Sequence, residues 1–123
     1  VITYGADSFP AFYSRESGFT NECRIDDTEK IADLIRTKDQ LGLRGGILIA
    51  CPIPAEDEIP FDKMDVVIKQ ALEECENKGV TGKRITPFLL SRVKDLTEGS
   101  SLEANIKLVL NNADIGAKIA SDI

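Results

Sequence analysis

Asn105 is the side chain of this sequence best placed to bind a ligand. It sits between Leu102 and Val109 in a helical apolar pattern, one position before Ile106. A carboxamide offers donors and acceptors together, which matches the alternating edge of an imide base such as uracil. Buried without a partner it costs free energy, so something must hydrogen-bond it. The plain alternative is an amide at a helix edge, satisfied by nearby backbone or water. Asn112 falls on the same side further along. Thr86 is the second candidate: it precedes Pro87 and an apolar run, so it reads as a helix N-cap. A helix start also exposes amides that can hold an anion or a carbonyl.

Other chemistry is poorly supported. Gly45-Gly46 precedes a strand, whereas a phosphate loop follows one, so backbone turning explains the pair better. Thr81-Gly82-Lys83-Arg84 reads as an exposed basic turn. An imine-forming lysine needs burial or a cationic neighbour. Lys107 stands one turn from Glu103, which suggests an exposed pair, and Lys38, Lys69, Lys78 and Lys118 fall on polar helix faces. No two carboxylates stand out as an acid–base pair. There is no histidine, and Cys23, Cys51 and Cys75 are too widely spaced for a metal knuckle. Three such thiols suit a reducing compartment, and a cytoplasmic location is expected.

These residues must be positioned by an α/β scaffold. Val1–Tyr4 and Phe9–Tyr13 read as strands, the second near an edge because of Pro10. Asp26 or Asp27 caps a helix to about Leu41, ended by Gly42. Ile47–Cys51 is a continuous apolar run, as in a strand of a parallel sheet buried on both faces. A helix from Pro60 or Phe61 to Lys78 carries the stripe Met64, Val67, Ile68, Ala71, Leu72 and Cys75. The helix begun by Thr86 follows. A last helix, with Ser100 and Glu103 as capping box, carries Leu102, Ile106, Val109, Ala113, Gly116 and Ala120. Its small residues would admit a close neighbour. The order strand, strand, helix, strand and three helices argues for part of a layered α/β fold.

Composition bounds the reading further. One domain, residues 1–123, is expected from 123 residues with 42% apolar and 29% charged side chains. A net charge of −6 argues against nucleic acid as partner. No apolar run approaches the ~20 residues that span a bilayer, so no membrane partner is expected. Opening directly in a strand, the chain is expected to be a segment of something longer.

Taken in order, Tyr4-Gly5, Phe9-Pro10-Ala11-Phe12, Gly42-Leu43, Gly45-Gly46, Pro52-Ile53-Pro54, Gly82-Lys83, Thr86-Pro87-Phe88-Leu89-Leu90, Ser101-Leu102, Asn105-Ile106 and Asn111-Asn112-Ala113 resemble the pseudouridine-5'-phosphate glycosidases, a family that includes the indigoidine-synthase-A-like proteins. The resemblance runs over essentially the whole chain and implies the C-terminal two fifths of such an enzyme. It implies a three-layer α/β/α sandwich, commonly a homotrimer. It also implies reversible cleavage of the C–C bond between uracil and ribose 5-phosphate in pseudouridine 5'-phosphate. The family's imine-forming lysine, its proton-donating glutamate and the aspartate beside a divalent ion, usually manganese, belong to the preceding part and have no counterpart here. What carries over is the asparagine of the Ser-Leu-x-x-Asn motif, Asn105, as a uracil contact, with Thr86 a neighbour in the same pocket. Cys51 departs from the pattern, where many relatives have Asn, and this puts substrate affinity or scope in question. The isolated chain is expected to be inactive. Alternatives are an indigoidine-pathway relative with another sugar-phosphate substrate, or a non-catalytic binding or assembly module.

Overall fold

The computed structural model describes residues 1–123. Three short strands form a parallel sheet: β1 (Ile2–Tyr4), β2 (Arg24–Ile25) and β3 (Ile49–Ala50), in the order β2-β1-β3. Thr3 is opposite Arg24 on one side of β1 and Ala50 on the other. Four helices accompany them: α1 (Thr28–Gln40), α2 (Phe61–Asn77), α3 (Ile85–Leu96) and α4 (Ser100–Asp122). The α/β class expected from the sequence is the one observed.

The order of elements matches the expectation, but the second strand is a different segment. Phe9–Tyr13 is irregular, and only an isolated antiparallel bridge, Ser8 to Thr20, forms nearby. Phe12 explains part of this: its φ of 65° is left-handed, which a bulky side chain tolerates poorly and which breaks an extended run. The Ile47–Cys51 run is also shorter as a strand than its apolarity suggests. β3 lies at a sheet edge in this chain, and Leu48 is exposed, so it is not buried on both faces.

Helix signals fare unevenly. Asp27 caps α1, its carboxylate accepting from the Glu29 N–H at 2.9 Å. Gly42 follows the α1 C-cap at φ 66°, where a Cβ would be strained. Thr86 does not cap α3. A 3₁₀ turn, Gly82–Arg84, feeds directly into α3, so the helix begins earlier, with Arg84 at the cap position and Thr86 within the first turn. Pro87 remains in that turn, where its missing N–H is not needed. The Ser100–Glu103 capping box is also absent. Gly99 holds the cap position at φ 88°, and Thr97 accepts the Ser101 N–H on Oγ1 at 3.1 Å instead.

The buried side of α4 is Ser101, Ala104, Leu108, Ile115 and Ile119, offset from the stripe read in the sequence. Leu102, Ile106 and Val109 of that stripe are exposed. Nothing lies within 4 Å of a Cβ built on Gly116, so no neighbour in this chain uses the small residues there.

Two apolar clusters divide α4. Ala104 and Leu108 pack in one with Tyr13, Ile53, Met64, Ala71 and Val93. Ile115 and Ile119 pack in the other with Ile31 of α1, flanked by Tyr4, Ile25 and Ile49 of the sheet. On α2, Met64, Ala71 and Cys75 are buried as the stripe required, while Leu72 stays exposed.

Candidate functional site

Asn105 follows the buried Ala104 and so falls at the edge of the packed face of α4, where it is half-buried. It lines a cavity of about 350 Å³ with Ser101 and Leu102 of its own helix, Leu90, Ser91 and Lys94 of α3, and Tyr13. The Asn105 carboxamide makes no hydrogen bond within the chain. Neither does any other polar side chain of the lining: Ser101, Ser91, Lys94 and the Tyr13 hydroxyl all lack an intramolecular partner, and Lys94 forms no ion pair. Burial pushes the Tyr13 phenol above its ordinary pKa, so it is a neutral donor at neutral pH.

A set of loop bonds fixes Tyr13 in place. Its carbonyl accepts from the Ile59 N–H at 2.8 Å. The neighbouring Ser14 hydroxyl donates to the Ile59 carbonyl at 2.5 Å, and Arg15 Nη1 donates to the Ile53 carbonyl at 2.6 Å. The Phe12 ring meets the Tyr13 ring edge-on, with centroids 4.8 Å apart. The sequence places Tyr13 far from Asn105, and only tertiary packing brings them together. α3 is braced from behind by the ion pair between Arg92 and Glu74 of α2, with Arg92 Nη2 donating to Glu74 Oε1 at 3.1 Å. That hydrogen bond holds the Glu74 carboxyl below its usual range.

Thr86 is exposed and lines a different, apolar cavity of about 220 Å³ with Phe12, Tyr13, Ile68, Leu89, Leu90 and Val93. The two cavities share Tyr13 and Leu90. Thr86 and Asn105 therefore line adjoining spaces rather than one. Asn112 is exposed and lines neither.

Other residues singled out in the sequence lie away from this cavity. Asn111 Nδ2 donates to the Pro52 carbonyl at 3.1 Å, tying α4 to the turn after β3. Lys107 is exposed but makes no ion pair with Glu103. The Thr81–Arg84 turn is exposed throughout. Cys51 is half-buried and its thiol is pushed up by burial; Cys75 is buried, while Cys23 is exposed. No three His, Cys, Asp or Glu side chains in this chain cluster so as to hold a metal ion. No helix is long and apolar enough to cross a membrane.

A small parallel sheet with helices packed on it, and a cavity between α3 and α4, make this a segment of an α/β protein. The chain belongs to the indigoidine synthase A-like family, whose model matches residues 1–122. It is 52% identical over 120 residues to the pseudouridine-5'-phosphate glycosidase of Lysinibacillus sphaericus, covering 98% of this chain and 40% of that protein. It is similar in structure to an indigoidine synthase A-like protein from Thermotoga maritima, with a TM-score of 0.77 and 29% identity, over 99% of this chain and 39% of that one. The prealnumycin C-glycosynthase AlnA, solved in complex with ribulose 5-phosphate, shares the fold: TM-score 0.84, 24% identity, 98% of this chain and 40% of that one. The chain thus spans about two fifths of the length of the curated relatives it matches.

Proposed function

We propose that this chain forms the uracil side of a pseudouridine-5'-phosphate glycosidase pocket. In this reading it works joined to further polypeptide corresponding to the remaining three fifths of its relatives. The whole enzyme reversibly breaks the C–C bond between uracil and ribose 5-phosphate. One observation carries the reading: the half-buried Asn105 carboxamide faces a cavity with no protein partner, in a chain of this family. Such an amide, held on a packed helix, presents one donor and one acceptor to a base without reorganising. Thr86 contributes from the adjoining cavity, acting beside the base rather than on it.

The bond-breaking groups lie outside these residues. No lysine here is buried enough to form an imine readily, and no acidic cluster suits a divalent ion. In this reading the imine-forming lysine, the acid glutamate and the manganese site belong to the other polypeptide. The apolar residues exposed along α4, Leu102, Ile106, Val109 and Leu110, support packing by that polypeptide. Assembly as a homotrimer belongs to the same reading, and three free cysteines suit a reducing compartment such as the cytoplasm.

The test is a joined protein in which this chain replaces the matching 40% of the Lysinibacillus sphaericus relative. It should release uracil from pseudouridine 5'-phosphate, while the 123-residue chain alone should not. Asn105→Ala in the joined protein should weaken uracil binding by about 1–3 kcal/mol. Turnover by the chain alone, or unchanged uracil affinity in the variant, contradicts the reading. The second result would favour a non-catalytic module that has kept the fold.

A further inference from the structure

Ser101 is 1% exposed, and its hydroxyl is the one buried side-chain polar atom in the chain without a hydrogen-bond partner. Buried hydroxyls are nearly always satisfied, because an unmade bond forfeits the water they left. A helical serine usually repairs this by donating to the carbonyl one turn back. Here that carbonyl belongs to Thr97, and Ser100 has taken it twice: its N–H lies 3.1 Å away and its hydroxyl 2.9 Å. The Thr97 hydroxyl is committed as well, donating to the Val93 carbonyl at 2.8 Å and accepting the Ser101 N–H. The Thr97 carbonyl, the usual acceptor for a helical serine here, is therefore already taken.

Ser101 lines the Asn105 cavity. The two residues are four positions apart on the same side of α4, about 6 Å along the axis. We infer that Ser101 is a second ligand-contacting residue of this cavity, and that Ser101 and Asn105 together read the polar edge of a cyclic amide or imide. The inference rests on the uracil reading above and extends it to a residue that reading does not use. A hydroxyl can donate to a ring carbonyl or accept from a ring N–H, and the carboxamide beside it takes the complementary group. The hydroxyl sits just behind the cavity wall. The hydroxyl itself is enclosed in the free chain, so ligand contact with it requires the lining around Ser101 to shift.

A ligand-contacting hydroxyl left idle in the free protein has a distinctive signature. Removing it should relieve an unsatisfied group and weaken binding at the same time. In the joined protein, Ser101→Ala should weaken uracil about tenfold by calorimetry and raise KM for pseudouridine 5'-phosphate, while Tm stays the same or rises. Unchanged uracil affinity in Ser101→Ala, with affinity lost in Asn105→Ala, overturns the Ser101 assignment and leaves the uracil reading standing. A lowered Tm with unchanged affinity makes the hydroxyl structural and also overturns it. If both variants bind uracil like the parent, the cavity is not the base site and the functional reading itself fails.

Discussion

The two halves of α4 treat their inward polar groups in opposite ways. In the second half they are spent on the fold. Asn111 holds the Pro52 carbonyl, Asp122 accepts from the Thr28 hydroxyl at 2.6 Å, and Arg36 of α1 donates to the Asp122 carbonyl at 2.6 Å. In the first half Ser101 and Asn105 bond nothing, and the polar groups facing them from α3 and Tyr13 bond nothing either. One helix thus presents a finished interface at one end and an unfinished one at the other. Stability and binding should separate accordingly, because unsatisfied polar groups weaken a fold but suit a ligand.

The largest expected effect lies in the finished half. Ile31 is fully buried against Ile115 and Ile119. Ile31→Ala should cost about 2–5 kcal/mol in urea denaturation, from lost transfer energy and the cavity left behind. A loss under about 1 kcal/mol would mean that this cluster does not hold α4 down.

Next come the two asparagines, which differ in what they bond. Asn111→Ala should lose about 1–2 kcal/mol of stability by orphaning the Pro52 carbonyl. Asn105→Ala should stay within about 0.5 kcal/mol of the parent, since it breaks no bond in the chain. Equal losses in urea melts would erase the contrast between the halves.

The pH response tests how α3 is held under the cavity. Arg92 lowers the folded-state pKa of Glu74 below its unfolded value near 4.3. The resulting stability is therefore present above that value and is lost as pH falls through the folded pKa. Tm should decline on this acid limb, and Glu74→Gln should flatten it; an unaltered limb would show that the pair does not brace α3. The pair is partly exposed, so the effect is small.

The smallest effect is chemical. Iodoacetamide should label exposed Cys23 first, Cys51 slowly because burial raises its thiol pKa, and buried Cys75 last. Labelling of Cys51 ahead of Cys23 would indicate that the packing beside β3 opens readily.

Much of the scaffold was legible in local pattern. Asp27 and Gly42 bound α1 because capping acts within one turn. Most of the α2 stripe, Leu72 apart, faces inward because its partners lie within this chain. The α4 stripe does not. Leu102, Ile106 and Val109 repeat with a helical period yet face outward, since periodicity reports an apolar face and not what covers it. Thr86 failed as a cap because the 3₁₀ turn before it carries no apolar signal. Asn105 was legible as a polar residue beside an apolar stripe. Ser101, one turn earlier, is likewise a polar residue beside that stripe, and its sequence context does not show that its hydroxyl lacks a partner. Tyr13 could not be found at all, because the bonds from its loop to Ile53 and Ile59 bridge distant stretches of sequence.

Uracil titration of the joined protein, parent against Asn105→Ala, with Tm recorded on the same samples, tests the central claim most directly. The account predicts that affinity falls by about fivefold to 150-fold at constant Tm. Equal affinity in the two proteins would contradict it.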